Sequence, residues 1–225
     1  MTTPTKPRGR PRGYKTKSGE VVPSVTQINS IIGDKGKTDG LCYWVQRLTQ
    51  EGKDWSQERS RAGRVGECTH ALVTDWLEGV ETDLEEYSPR EVKHSVQVFE
   101  AFKDWAQQGK IETLATERPI VSEMHKFGGT SDIVCRVFGK LTVIDLKTSK
   151  KVDINHLRQL AAYAHLWFEQ EKEEPVQGII WLSQPDTGGY NTCVRWMSVL
   201  NETCWPVFQD ALRLLEQVKK ERGLT

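Results

Sequence analysis

Two aspartates and a lysine lie close together in a short stretch of the chain, Gly128-Gly129-Thr130-Ser131-Asp132 through Ile144-Asp145-Leu146-Lys147. If a hairpin turns at Phe138-Gly139, paired residues carry numbers that add to 277, and Asp132 falls directly opposite Asp145. Cross-strand partners have Cβ atoms about 5 Å apart, and two like charges at that spacing repel unless a cation lies between them. A divalent metal supplies that cation. Oxygen ligands select hard ions such as Mg²⁺ or Mn²⁺ and leave positions for water and a phosphate, which is equipment for phosphodiester hydrolysis. Lys147 is two residues beyond Asp145, so the strand period sets its ammonium on the same face, placed to orient a nucleophile or to stabilise a charged transition state. Ile133, Cys135, Ile144 and Leu146 then point to the other, buried face. The loop is the weak step, because Phe is unfavourable in a two-residue turn; a four-residue loop keeps the register and an odd-length loop shifts it. The bland alternative is an exposed hairpin with weak surface ion pairs.

The elements that position these residues follow from periodicity. Tyr14 to Val22 contains the turn dipeptide Ser18-Gly19 between two short strands, and Ser24 or Thr26 caps a short helix through Ile32. A turn over Gly33 to Gly40 precedes helices at Leu41 to Gln50 and Ser56 to Leu77, with Gly52 and Gly79 as stops. Ser88-Pro89-Arg90-Glu91 carries a cap, a first-turn proline and a reciprocal Glu, opening a helix whose Val92, Val96, Phe99, Phe102 and Trp105 face the core until Gly109. After Gly109 the period becomes strand-like: Glu112 to Ser122, Gly129 to Val137 and Leu141 to Lys147. A helix from about Ile154 to Glu173, strands at Val176 to Ser183 and Tyr190 to Met197, and a helix from Asn201 towards Gly223 complete the order. The fold class is therefore α/β: a mixed sheet flanked by helices, with a helical N-terminal half over about 24–109, a core over about 110–200 and a C-terminal helix over about 201–222.

Composition limits the alternatives. The 225 residues carry 31 basic and 31 acidic side chains, and the apolar share including glycine, about 45%, is that of a globular protein. No apolar run is long enough to span a membrane, and no apolar block follows the basic N-terminus as a secretory signal would, so we expect a soluble protein of the cytoplasm. Five scattered cysteines without a CxxC pair suit neither a disulfide framework nor a zinc finger and read as small buried hydrophobes. Neutrality conceals an asymmetry: residues 1–17 carry six positive charges and no acid, which leaves −6 on the rest. Residues 1–13, rich in Pro, Gly, Thr and Arg, read as a disordered basic arm ahead of a single domain over 14–225.

The combined pattern resembles the PD-(D/E)XK nuclease superfamily, in particular its RecB-like, phage-type exonuclease branch. The matching residues are Gly129-x-x-Asp132, a short hairpin, Ile144-Asp145-Leu146-Lys147 and, downstream, Gln159-x-x-x-Tyr163. An upstream Gly66-x-x-x-His70, the Pro23-Ser24-Val25-Thr26 segment and Glu117 agree with it, and coverage runs from about residue 20 to about 185. The resemblance implies a restriction-endonuclease-like core and a metal held by His70, Asp132 and Asp145, with Lys147 catalytic. It also implies that Gln159 and Tyr163 steady the active site or the DNA backbone, with Glu117 in support. His70 shares its helix face with Val73 and Leu77, so a core histidine is its structural alternative; for Gln159 and Tyr163 the alternative is a partly buried polar pair, and for Glu117 a solvated charge beside Arg118. Some relatives carry an iron-sulfur cluster on one upstream and three C-terminal cysteines; Cys193 and Cys204 have no third companion, so no cluster is expected.

Two further features bear on DNA. Lys6-Pro7-Arg8-Gly9-Arg10-Pro11-Arg12-Gly13 resembles an AT-hook, in which Arg8, Arg10 and Arg12 would enter a narrow minor groove; unspecific phosphate attraction is the alternative. Trp44, Trp55 and nearby Lys and Arg residues form a candidate wall for a DNA channel, with the tryptophans as core the alternative. What these readings imply together is a Mg²⁺- or Mn²⁺-dependent exonuclease acting on single-stranded or duplex DNA ends in recombination, repair or replication. Such an enzyme would work beside a recombination or replication protein partner, in the host cytoplasm if phage-encoded, and without a membrane. A structure-specific endonuclease with the same centre and a non-catalytic DNA-binding protein are the rivals.

Overall fold

The computed structural model describes the backbone of residues 13–32, 35–148, 153–182, 192–196 and 200–223. The basic arm with Arg8, Arg10 and Arg12, and the ends of the strand expected over Tyr190 to Met197, lie outside the described residues.

Strands β1 (Tyr14–Lys15) and β2 (Val21–Val22) pair antiparallel around a turn in which Gly19 has φ +89°. Helix α1 (Val25–Ile32) starts where Ser24 and Gln27 exchange backbone-to-side-chain hydrogen bonds of 2.8 and 3.1 Å, so Ser24 is the cap. Helix α2 (Lys35–Gln50) begins earlier than expected and absorbs most of the predicted turn over residues 33–40. A glycine stops a helix by taking a left-handed φ, and Gly40 does not take one. Helix α3 (Trp55–Glu78) is capped by Asp54, which accepts from Ser56 and Gln57, and ends at Gly79 with φ 70°. Helix α4 (Pro89–Gln108) opens on the expected Ser88–Glu91 capping box. Its buried stripe differs from the predicted one: Glu91, Ser95, Val98, Phe102 and Ala106 are buried, whereas Val92, Val96, Phe99 and Trp105 are half-buried. The helix is rotated because small and polar residues let it approach α3 closely; the Ser95 hydroxyl donates to the Val65 carbonyl, and Arg64 pairs with Glu91.

The strand region departs further from expectation. Each of two predicted long strands is broken, giving β3 (Glu112–Thr116) and β4 (Pro119–Ser122) from the first, and β5 (Phe127–Thr130) and β6 (Ile133–Val137) from the second. β4 and β5 leave the main sheet as their own hairpin. Both breaks form one corner, where Glu117 adopts φ 42° and donates its N–H to the Asp132 carbonyl at 3.0 Å. Thus Glu117 lies at a bend rather than on a strand. The main sheet has the order β3-β6-β7-β8-β9, with β7 (Lys140–Lys147), β8 (Val176–Leu182) and β9 (Thr192–Trp196). All its neighbours are antiparallel except β7 and β8, whose parallel pairing requires the crossover helix α5 (Ile154–Glu171). Helix α6 (Leu200–Glu221) follows.

Both faces of the sheet are covered, so the aspartate face is as buried as the apolar one. Ile133, Cys135, Val137, Ile144 and Leu146 meet Val73 of α3 and Val98, Phe102 and Ala106 of α4. Val134, Leu141 and Val143 pack with α1, α5 and α6 through Ile28, Leu160 and Phe208. Cys68, Cys135 and Cys204 are buried as expected; Cys42 is exposed. Among the described residues no helix is long and apolar enough to cross a membrane.

The β6–β7 hairpin keeps the predicted register, from Val137↔Lys140 to Ile133↔Ile144. Its loop is the two-residue turn, with Phe138 at φ 48° and Gly139 at φ 78°, so Phe138 bears the left-handed cost. Phe138 is 70% exposed and has little packing to lose. Replacing it with Asn should therefore stabilise the fold by about 1 kcal/mol, read as a Tm rise of about 2–4 °C. An unchanged or lower Tm would argue against this turn.

Candidate active site

The hairpin brings Asp132 and Asp145 together by continuing its register one residue past the last pair. Asp132 lies beyond the end of β6, and its carboxylate replaces the missing ladder partner: Oδ2 accepts the Leu146 N–H at 2.8 Å. Asp145 sits on the central strand β7 between β6 and β8 and is 0% exposed. Lys147 Nζ lies 2.5 Å from Asp145 Oδ2, and its side chain is 16% exposed. His70 reaches the same place from α3, with Nδ1 3.8 Å from Asp132 Oδ1, too long for a hydrogen bond. The four residues meet at the end of the sheet, where β6 begins and β7 ends.

Close approaches hold that end together. A Cβ on Gly66 would stand 3.1 Å from Thr148 Oγ1, so the glycine one turn before His70 lets α3 lie against the strand end. A Cβ on Gly129 would fall 2.6 Å from Tyr163 Cε1 and 2.9 Å from Val25 Cγ2, and one on Gly128 would fall within 2.5 Å of the Tyr14 ring. These two glycines admit an aromatic ring on each face of β5, three and four residues before Asp132. Tyr163 is 1% exposed, its hydroxyl accepts from Gln159 Nε2 at 2.7 Å, and its ring packs on Gly129, three residues before Asp132. Sequence reasoning missed two further supports: Trp167 donates to Ser131 Oγ at 3.0 Å, and the Arg118 guanidinium lies over the Trp167 ring, 5.5 Å from its centroid. Trp167 repeats the Gln159–Tyr163 spacing on α5, a signal that periodicity alone could have given.

The electrostatics are those of a confined negative pair. Burial pushes the Asp145 carboxyl up from 3.8 to about 6; Lys147 opposes that rise, Asp132 adds to it and His70 opposes it. Asp145 Oδ1 is buried without a hydrogen-bond partner among the described residues. A buried carboxylate oxygen is seldom left so, and it is the feature a hard cation would satisfy. The donor set, two carboxylates and an imidazole, fits Mg²⁺ or Mn²⁺ chemistry. As they stand, no three His, Cys, Asp or Glu side chains among the described residues converge as a metal cluster. The Asp132 carboxylate is turned to the Leu146 N–H, and that of Asp145 faces Lys147.

The raised value of Asp145 sets a stability window. The native state holds its proton more tightly than the unfolded chain, so stability is lost as pH rises from about 4 through about 6. In EDTA, Asp145→Asn should therefore be more stable than wild type at pH 8, by at most about 3 kcal/mol, with the gain fading towards pH 4. Denaturant unfolding at the two pH values measures this; a less stable variant at pH 8 would contradict it.

A family model described as the PD-(D/E)XK nuclease superfamily matches residues 43–220. Among solved structures, a candidate exonuclease from Eubacterium rectale superposes with a TM-score of 0.51 at 10% identity, covering 73% of this chain and 69% of that one. The alkaline exonuclease LHK-Exo from Laribacter hongkongensis gives a TM-score of 0.35 at 13% identity, covering 73% and 91%. No curated protein sequence matches the chain. With the mixed sheet, the hairpin register and the Asp–Asp–x–Lys end all in place, the match over residues 43–220 establishes that the chain belongs to the PD-(D/E)XK nuclease superfamily.

Proposed function

We propose that this nuclease is a divalent-metal-dependent exonuclease that hydrolyses phosphodiester bonds in DNA, of the kind used in recombination, repair or replication. The observation that carries the reading is the fully buried Asp145, set opposite Asp132 and 2.5 Å from Lys147 at an end of the sheet that His70 also reaches. His70, Asp132 and Asp145 would hold Mg²⁺ or Mn²⁺. When bound, such an ion supplies a Lewis acid that makes water more acidic and offsets phosphate charge.

The protein's own groups do the rest. Asp145 is ionised at neutral pH once its repulsion with Asp132 is relieved, and the two carboxylates fix where a phosphate can approach. Lys147, released from Asp145, presents its ammonium to the attacking water or to charge developing on the phosphate. Gln159 and Tyr163 keep the Gly129–Asp132 segment in position through the ring contact with Gly129. The arm, with Arg8, Arg10 and Arg12, adds phosphate attraction outside the centre.

Purified protein with Mg²⁺ should degrade linear DNA much faster than covalently closed circles and should be inactive in excess EDTA. Equal rates on both substrates would make it an endonuclease, and activity in EDTA would refute the metal mechanism. Lys147→Ala should lower kcat by about 10²–10³ while Mn²⁺ still binds, as expected for a group acting in the transition state. An unchanged kcat would remove Lys147 from the chemistry. Deleting residues 1–13 should weaken DNA binding and flatten its salt dependence, with turnover on saturating DNA intact. Loss of that turnover in a folded protein would place the arm in the active site.

A further inference from the structure

N-terminal to His70, α3 carries an open depression of about 470 Å³, lined by Trp55, Ser56, Arg59, Ser60, Gly63 and Arg64, with Glu67 at its far end. Arg59, Gly63, Gly66 and His70 recur at helical spacing, so the depression and the metal-side histidine lie on one line along the helix. The two basic groups differ. Arg64 is engaged by Glu91, by the Glu86 carbonyl and by the Tyr87 ring. Arg59 is exposed and has neither an ion pair nor a hydrogen bond to any described residue. Its neighbour Arg61 is paired with Glu58 at 2.7 Å. Trp55, at the outer end, is 40% exposed, and its indole has no aromatic or cationic contact among the described residues. The acid, Glu67, is at the end nearest His70, where a cation would be held, and away from Arg59.

An aromatic face, an uncommitted guanidinium and, at Gly63, a helix surface with nothing within 4 Å of where a Cβ would stand are the parts of a single-strand track leading towards a phosphodiester-cleaving centre. We propose that this depression is a remote subsite for the DNA strand being cut, with a base on Trp55 and a backbone phosphate on Arg59. The inference rests on the nuclease reading above and extends it to how substrate is held. From Arg59 to His70 the helix rises about 16 Å, which is about five nucleotides of stacked strand. The subsite therefore acts only on substrates long enough to reach it.

The test compares Arg59→Ala, Trp55→Ala and the paired-arginine control Arg61→Ala, which removes the same charge from the same helix. Binding of a labelled single-stranded oligonucleotide is measured by anisotropy in EDTA, and cleavage is measured in Mg²⁺. Arg59→Ala should weaken binding about tenfold and make the slope of log affinity against log salt shallower by about 0.7, while Arg61→Ala changes little. Trp55→Ala should weaken binding by a similar factor with the salt slope unchanged. In cleavage, both subsite variants should raise KM and spare kcat on long strands, and should match wild type on oligonucleotides shorter than about five nucleotides. Arg59→Ala binding no worse than Arg61→Ala would overturn the subsite, as would an equal loss on short and long strands. Failure of wild type to cleave any DNA would instead overturn the nuclease reading, and the EDTA binding series would still decide the subsite.

Discussion

The burial of Asp145 beside Asp132 is the constraint on which the rest of the structure depends. A carboxylate with no solvent exposure, next to another carboxylate, is costly to ionise, which is why its proton is held up to about pH 6. The fold does not relieve this by separating the pair. Instead it starts β6 one residue late, so that Asp132 caps the strand through the Leu146 N–H, and it places Asp145 in the middle of a sheet covered on both faces. An arrangement that gave up stability for nothing would be hard to explain on physical grounds. A buried, unpartnered carboxylate oxygen is what a cation bound there would satisfy.

The surrounding packing serves that end of the sheet. Two helices approach it from opposite faces, α3 through Gly66 on Thr148 and α5 through Tyr163 on Gly129. A third tie, from Trp167 to Ser131, fixes the residue before Asp132. Each contact lies within three residues of a carboxylate or of Lys147, so misplacing any of them moves the chemistry directly. The corner at Glu117 and Asp132 then diverts the chain into the β4–β5 hairpin, which leaves the end of the main sheet free of a continuing strand.

Much of this was legible in the sequence, and the reasons differ by element. The register of β6 and β7 was readable because a two-residue turn fixes pairing locally; Phe138 argued against that turn and accepts the strain. The caps at Ser88 and Gly79 are likewise local chemistry, whereas Asp54, the actual cap of α3, was not singled out. The corner was not readable, because Ser131–Asp132 and Glu117–Arg118 both continue a strand-like pattern, and only their mutual hydrogen bond breaks it. The rotation of α4 depends on its fit to α3, where Ser95 is buried and Val96 is half-exposed against simple polarity. His70 could be placed only by resemblance, since its helical face carries Val73 and Leu77 as a core face would.

If the opposed carboxylates form a cation site, calorimetric titration of Mn²⁺ into metal-free protein will reveal it. Wild type should bind with release of protons below pH 6, because Asp145 must ionise to ligate, whereas Asp145→Asn and Asp132→Asn should each lose binding at the same concentrations. Equal Mn²⁺ affinity in wild type and in the folded Asp145→Asn protein would contradict the account.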